Sequence, residues 1–399
     1  MRKKDFSKES KYLDFFKANP IGINDEELLQ KLQDEFEINK EWAYRKLLQF
    51  KESSPLREET PTIEKDIKVR KLSKNLKANQ NLYEQALNRI EELELLVNAK
   101  REVSQKVETI KYKKAVSDSE HYGIPILAIS DVHAEEKVDS EIVNGLNEYT
   151  PDICEKRMNQ LFEKFIINIK LEKQHWNIDT VFIWLGGDLI SGYIHEELVE
   201  DNYMSPSEAT LFIKKIIKSQ LIRLKNELPF IEKFIIRGTY GNHGRSTAKT
   251  RHSTGFKNSW EWLLLENLKE LFENDNKFEF RISKSLINYD TFESQYGKFN
   301  LRTWHGDNTK YQGGIGGLTI PLTKIILRLD QSIKADFNII GHFHTSFNAT
   351  SKCRVNGSVI GYSPYAHNLG LPFEKPKQTM LILDMKKLEI VKDYTIILD

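Results

Sequence analysis

Cysteine is almost missing from this 399-residue chain: Cys154 and Cys353 are the only two, far apart and in no metal-binding spacing. That argues against a disulfide framework and predicts a reducing, cytoplasmic setting. Long apolar runs are missing as well. None approaches the roughly 18 residues that a membrane-spanning helix needs, so no membrane partner is expected. The start, MRKKDFSKESKYLDFF, is basic but leads into no apolar segment, which argues against a secretory leader. Net charge is nearly absent too, because 59 Lys and Arg stand against 58 Asp and Glu. A strong global attraction to nucleic acid is thereby excluded, and any such binding needs a local basic patch. What is present is a composition of 39% hydrophobic and 29% charged residues, ordinary for a folded chain and long enough for two domains.

The organisation changes twice along the chain. Residues 1–55 read as a small all-α module. Asn24 can cap a helix with Leu28, Leu29 and Leu32 on one face, and Asn39 can cap a second with Trp42, Ala43, Leu47 and Leu48 inward. Two short helices across a tight turn suit a helix-turn-helix, with Lys40, Arg45 and Lys46 outward as a possible DNA-contacting face. Asp34, Glu35 and Glu37 dilute that charge, so a plain helical hairpin stays open. Residues 56–120 form a linker. Within it Leu72, Leu76, Asn79, Tyr83, Ala86, Ile90, Leu93 and Val97 alternate spacings of four and three, a heptad seam over 72–97 that can support a homo-oligomer or pack within its own domain.

From residue 121 to 399 strands alternate with amphipathic helices. The runs IPILAIS, TVFIWLG, KFIIRG, FNLRTWH and FNIIGH are short and β-branched or aromatic, and helices are expected over 154–173, 207–226 and 258–273. This is an α/β arrangement, in which ligands belong at the carboxyl ends of strands. At those ends stand Asp131-Val132-His133, Gly186-Gly187-Asp188, Gly241-Asn242-His243, His305-Gly306-Asp307 and Gly341-His342-Phe343-His344. Any one of these is unremarkable. Five in order, each offering carboxylate, imidazole or amide donors, point to a metal centre.

That ordered set, D-x-H, G-D, G-N-H, H-G and G-H-x-H, resembles the signature of calcineurin-like metallophosphoesterases over about residues 124–399. Softer features, GYIHEELVEDN and VNGSVIG, look most like the DNA-repair-exonuclease-like branch of bacteria and phages. The resemblance implies an α-β-β-α sandwich of two sheets with helices outside both. It implies one metal held by Asp131, His133 and His344, a second by Asn242, His305 and His342, and Asp188 bridging them. His243 would face the phosphate as the catalytic residue. Two divalent ions can clamp phosphoryl oxygens and supply a nucleophile near neutral pH. Oxygen and nitrogen donors without thiolate suit manganese first, then iron or zinc.

Two positions depart from the family pattern. Gly244 stands where an acidic residue usually follows G-N-H, and Tyr240 stands where proline is common. The proton-donor strength of His243 then depends on another carboxylate, and Asp307 is the expected substitute. Arg245, Lys249 and Arg251 follow the third motif and could grip flanking phosphates of DNA. Tyr311–Thr319, rich in glycine but without a P-loop ending, reads as a wall of the cleft. The function expected is a two-metal phosphodiesterase acting as a DNA nuclease, and the resemblance implies an ATPase subunit as a partner, since exonucleases of this branch often work beside one. A phosphomonoesterase with the same site is the alternative. A binding protein with a vestigial centre is disfavoured by the retention of seven ligands.

Overall fold

The computed structural model describes residues 6–18, 25–53, 109–111, 121–310 and 317–399. The heptad seam, Asn24, the linker residues 54–108 and most of the glycine-rich wall lie outside the described residues. The chain divides into two compact units, Met1–Ile90 and Glu91–Asp399.

In the first unit, helices α1 (Phe6–Ala18), α2 (Asp25–Phe36) and α3 (Lys40–Ser53) pack around one small core. Phe15 and Phe16 of α1 join Leu28, Leu29 and Leu32 of α2 with Ala43 and Leu47 of α3. The expected pair of helices is therefore completed by a third. Asn39 does cap α3, its side chain accepting the Trp42 N–H at 2.9 Å. The inward face of α3 differs from expectation, since Trp42 is 50% and Leu48 43% exposed. Ala43, Leu47 and Phe50 follow the four-three spacing of one buried stripe, and 42 and 48 fall to either side of it.

The second unit runs β1 (Thr109–Lys111), β2 (Gly123–Ile129), α4 (Pro151–Glu172), β3 (Thr180–Leu185), α5 (Glu196–Asp201), α6 (Pro206–Glu227), β4 (Lys233–Gly238), α7 (Trp260–Leu271), β5 (Phe278–Ile282), β6 (Ile287–Ser294), β7 (Gly297–Trp304), α8 (Thr319–Asp330), β8 (Phe337–Ile340), β9 (Phe347–Thr350), β10 (Cys353–Val355), α9 (Pro364–Asn368), β11 (Lys377–Asp384) and β12 (Glu389–Ile397). All five expected strands are present. The three expected helices are α4, α6 and α7. The first two begin earlier than expected because Pro151 and Pro206 occupy the first helical position after capping Thr150 and Ser205.

Two six-stranded sheets form, in the orders β12-β11-β2-β3-β4-β5 and β1-β6-β7-β8-β10-β9. Strand β2 shows how they stack. Leu127 and Ile129 point to a core shared with α4, α6 and α7, through residues such as Phe162, Ile213 and Leu264. Ile124, Ile126 and Ala128 point the other way, onto Phe292, Phe299, Leu301 and Ile339 of the second sheet. The period of two along a strand thus fills two separate cores. Behind the second sheet, α8 covers Trp304, Ile340 and Val355 with Leu322 and Ile326. The layers run helix, sheet, sheet, helix.

One buried charge cluster crosses between the sheets. Arg237 on β4 donates from Nε to Asp290 Oδ2 on β6 at 2.8 Å, and Arg281 Nη1 reaches Asp290 Oδ1 at 3.0 Å. All three side chains are buried. Removing one partner of a buried charge group strands the others. Asp290→Ala should therefore lower unfolding stability by about 3–5 kcal/mol, read as a fall in the urea midpoint. A loss under about 1 kcal/mol would show that the arginines are paired well enough without it.

Candidate metal centre

The parallel strands β2, β3 and β4 end side by side, and β7 and β8 of the other sheet end at the same edge of the sandwich. Each motif sits in the loop that leaves its strand. The first two loops are tied together by backbone: Asp131, Val132, His133 and Ala134 donate their N–H groups to the carbonyls of Gly187, Asp188, Asp188 and Leu189 at 2.8–3.1 Å. The backbone of the motif residues is unusual. Asp131, His133, Asp188, His342 and His344 have φ between 49° and 73°, five of the eight non-glycine residues with positive φ among those described. That conformation costs about 1–3 kcal/mol per residue and persists only where neighbours enforce it.

Three overlapping donor groups result. Asp131, His133 and His344 form one; Asp188, His305 and His342 form another; His133, Asp188 and His243 link them. His133 Nε2 faces His344 Nε2 at 3.2 Å, and His344 Nε2 lies 3.5 Å from Asp131 Oδ1. His305 Nε2 lies 2.8 Å from Asp188 Oδ2 and 3.2 Å from Asn242 Oδ1. The seven candidate ligands are therefore brought together. The imidazoles are held from behind: His305 Nδ1 donates to Gly186 O at 2.9 Å, and His133 Nδ1 meets Ser191 Oγ at 2.8 Å. Fixing the rear nitrogen and turning Nε2 inward is how proteins orient metal-ligating histidines. Two imidazole nitrogens aimed at each other beside a carboxylate fit a shared cation, so the residues present suit the group that the motifs imply.

Charge shapes the site strongly. Burial disfavours the His133 cation, yet Glu136, Asp188 and Asp131 outweigh it and push its pKa up to about 9. Burial likewise opposes the His305 cation, but Asp188 and Asp131 hold its pKa well above the ordinary value. Asp188, though buried, is held well below the carboxylate range by His305, His243 and His133. His243 goes the other way, burial lowering it to about 4 despite the Asp188 charge.

His243 stands beside His133, ring centroids 4.7 Å apart, and its Nδ1 donates to Ser191 O at 3.1 Å. Asp307 is not the carboxylate that acts on it; Asp188 and Glu136 are. Asp307 sits instead within the field of His305, Asp188 and His252.

The cationic residues divide. Arg245 is committed to bracing its own loop, donating to Thr247 O at 3.0 Å and Asn242 O at 2.8 Å. Arg245 and Arg251 line a pocket that opens beside Asn242, together with Thr247, Thr250 and Asn258; Lys249 is exposed and not in its lining. Three contributors escaped the sequence reading. Glu136 follows His133 by three residues and bonds Ser191, which holds that ring with it. Glu261, fully buried on α7, accepts from the N–H groups of Leu189 and Gly241. Its only sequence signal is an acid set inside the apolar run Trp260–Leu265.

No protein-family model and no curated protein matches this chain. Solved structures that match include the Thermus thermophilus sulfate thiohydrolase SoxB in complex with glycerol, at 11% identity and a TM-score of 0.28, covering 72% of this chain and 58% of that one. The likeness spans less than two thirds of SoxB. The calcineurin-like phosphoesterase YfkN from Bacillus subtilis also matches, at 14% identity and a TM-score of 0.25, covering 69% of this chain and 90% of that one. Scores this low carry no argument about activity; the clustered residues must carry it. No helix among the described residues is long and apolar enough to cross a membrane.

The raised histidines set an expected pH dependence. A His133 with a pKa of about 9 holds a proton at neutral pH, and a cation must displace it. Mn2+ affinity should therefore rise as the pH climbs through 7 to 9 and level off above, with protons released on binding. Calorimetry in buffers of different ionisation enthalpy reads both; a flat affinity with no proton release would remove His133 from the cation's ligands.

Proposed function

We propose that this chain is a calcineurin-like metallophosphoesterase that hydrolyses phosphodiesters of DNA. The observation that carries the reading is the position of Asp188. It groups with His305 and His342 on one side and, through His133, with the group of Asp131 and His344 on the other, so one carboxylate stands between two sets of ligands. Asp131, His133 and His344 would hold one ion, Asn242, His305 and His342 the other, and Asp188 both. Manganese suits the oxygen and nitrogen donors, as do iron and zinc. When bound, two such ions supply Lewis acidity toward a phosphoryl oxygen and a water of lowered pKa.

The chain's own residues supply position and a proton. With Nδ1–H given to Ser191 O, the free nitrogen of His243 is Nε2, and burial lowers the ring's pKa to about 4 despite the Asp188 and Glu136 charges. An arriving phosphate ester adds negative charge and favours protonation there. Nε2 then hands its proton to the leaving oxygen as that oxygen separates from phosphorus. His195, an exposed imidazole whose ring lies 6.3 Å from that of His243, stands at the rim.

Polynucleotide rather than a small monoester is favoured by the pocket beside Asn242, where Arg251 can meet a flanking phosphate. A DNA-contacting part for residues 1–55, self-association through 72–97 and a partnering ATPase subunit belong to the same proposal. In α3, Arg45 is paired with Glu41 at 2.8 Å, and Lys46 lies over the rings of Tyr12 and Trp42, so that face is only partly available.

The test is a Mn2+-dependent assay with a synthetic diester and labelled DNA beside a synthetic monoester and nucleotides. Diester and DNA cleavage should appear and vanish in Asp188→Asn. His243→Ala should lower kcat by about 10²–10⁴-fold with metal content intact. Hydrolysis of monoesters alone would turn the assignment to a phosphatase, and near-normal turnover in Asp188→Asn would end the two-cation reading. Arg251→Ala should weaken DNA binding across sequences and reduce its salt slope by about 1. An unchanged slope would place the DNA elsewhere.

A further inference from the structure

Glu261 comes from α7, which carries none of the motifs, and is fully buried. A buried carboxylate is costly unless its oxygens are hydrogen-bonded. Here one oxygen accepts the N–H of Leu189, the residue after Asp188, and the other accepts the N–H of Gly241 at 2.6 Å, the residue before Asn242. One side chain thus ties together the loops that carry the shared carboxylate and a ligand of the second ion. The same two loops meet directly, as His243 N donates to Asp188 Oδ1 at 2.8 Å. They approach so closely that a Cβ on Gly187 would lie 2.5 Å from Gly241 N. The third loop residue involved is Gly244, where an added Cβ would lie 2.5 Å from Glu261 Cγ. Its carbonyl accepts from Trp260 N at 2.8 Å, which seats the start of α7 against the loop.

We infer that Glu261 is a positioning residue that sets the distance between Asp188 and Asn242, and that Gly244 is glycine because this carboxylate occupies the space beside it. The inference rests on the two-cation reading of the site. It makes metal affinity, not only stability, depend on a residue that touches no ion.

The experiment measures the Mn2+ dissociation constant by calorimetry and the unfolding midpoint in chelator for the full-length wild type, Glu261→Gln, Glu261→Asp, Gly244→Ala and the pair Gly244→Ala with Glu261→Asp. Each single variant should bind Mn2+ about 10–100-fold more weakly. The pair should bind more tightly than Gly244→Ala alone, because the shorter acid retreats from the new methyl group. Wild-type affinity in Glu261→Gln, with or without a lowered midpoint, would overturn the inference, as would losses that simply add in the pair. Failure of the wild type to bind Mn2+, Fe2+ or Zn2+ would instead overturn the two-cation reading beneath it.

Discussion

The site depends on a short ladder of backbone hydrogen bonds between two loops. Asp131 to Ala134 lie against Gly187 to Leu189, each N–H of one segment answered by a carbonyl of the other. Those bonds hold Asp131, His133 and Asp188 in a left-handed backbone that none would choose alone. The conformation turns each loop sharply as it leaves its strand, and Asp131 and His133 reach the donor cluster while Val132 between them stays in the core. His342 and His344 do the same on the opposite sheet, where His342 N donates to the Asp131 carboxylate at 3.0 Å. Strain spent on the backbone becomes convergence of donors.

The sandwich makes that convergence affordable. The edge where β2, β3 and β4 end is brought beside the ends of β7 and β8 by an apolar interior of Ile126, Trp184, Phe292 and Leu301. The buried arginine cluster around Asp290 pins β4 to β6 across the same interface. With so rigid a base, histidines and carboxylates sit closer than they would in water. They offset one another by sharing protons: Asp188 ionises easily because His305 and His133 are charged, and those rings keep their protons because of Asp188. A site balanced by protons is ready to exchange them for cations.

Most of the second unit was legible because strands and helices there announce themselves in different periods, and because each motif stands where an apolar run stops. Helix starts were read late where proline followed the cap. The first unit was less legible. Trp42 and Leu48 look inward in a pattern of two helices, but α1 brings Phe15 and Phe16 to the core and leaves room for a narrower stripe. The expected service of Asp307 to His243 failed for a similar reason, since adjacency of motifs does not say which way a loop turns.

Residue type and order placed carboxylate, imidazole and amide donors at five strand ends, while the choice of seven of them as ligands with His243 apart is what the family resemblance implies. Those facts are local, written in strand-end chemistry. Only the tertiary structure decided what stands behind them: Ser191 and Glu136 on His133, Gly186 on His305, Ser191 O on His243, and Glu261 across two loops. Apart from Glu136, three residues after His133, such partners come from residues distant in the chain or from backbone carbonyls, which carry no sequence signal. Packing alone chooses them, because a buried donor or acceptor must find whatever neighbour the fold brings within reach.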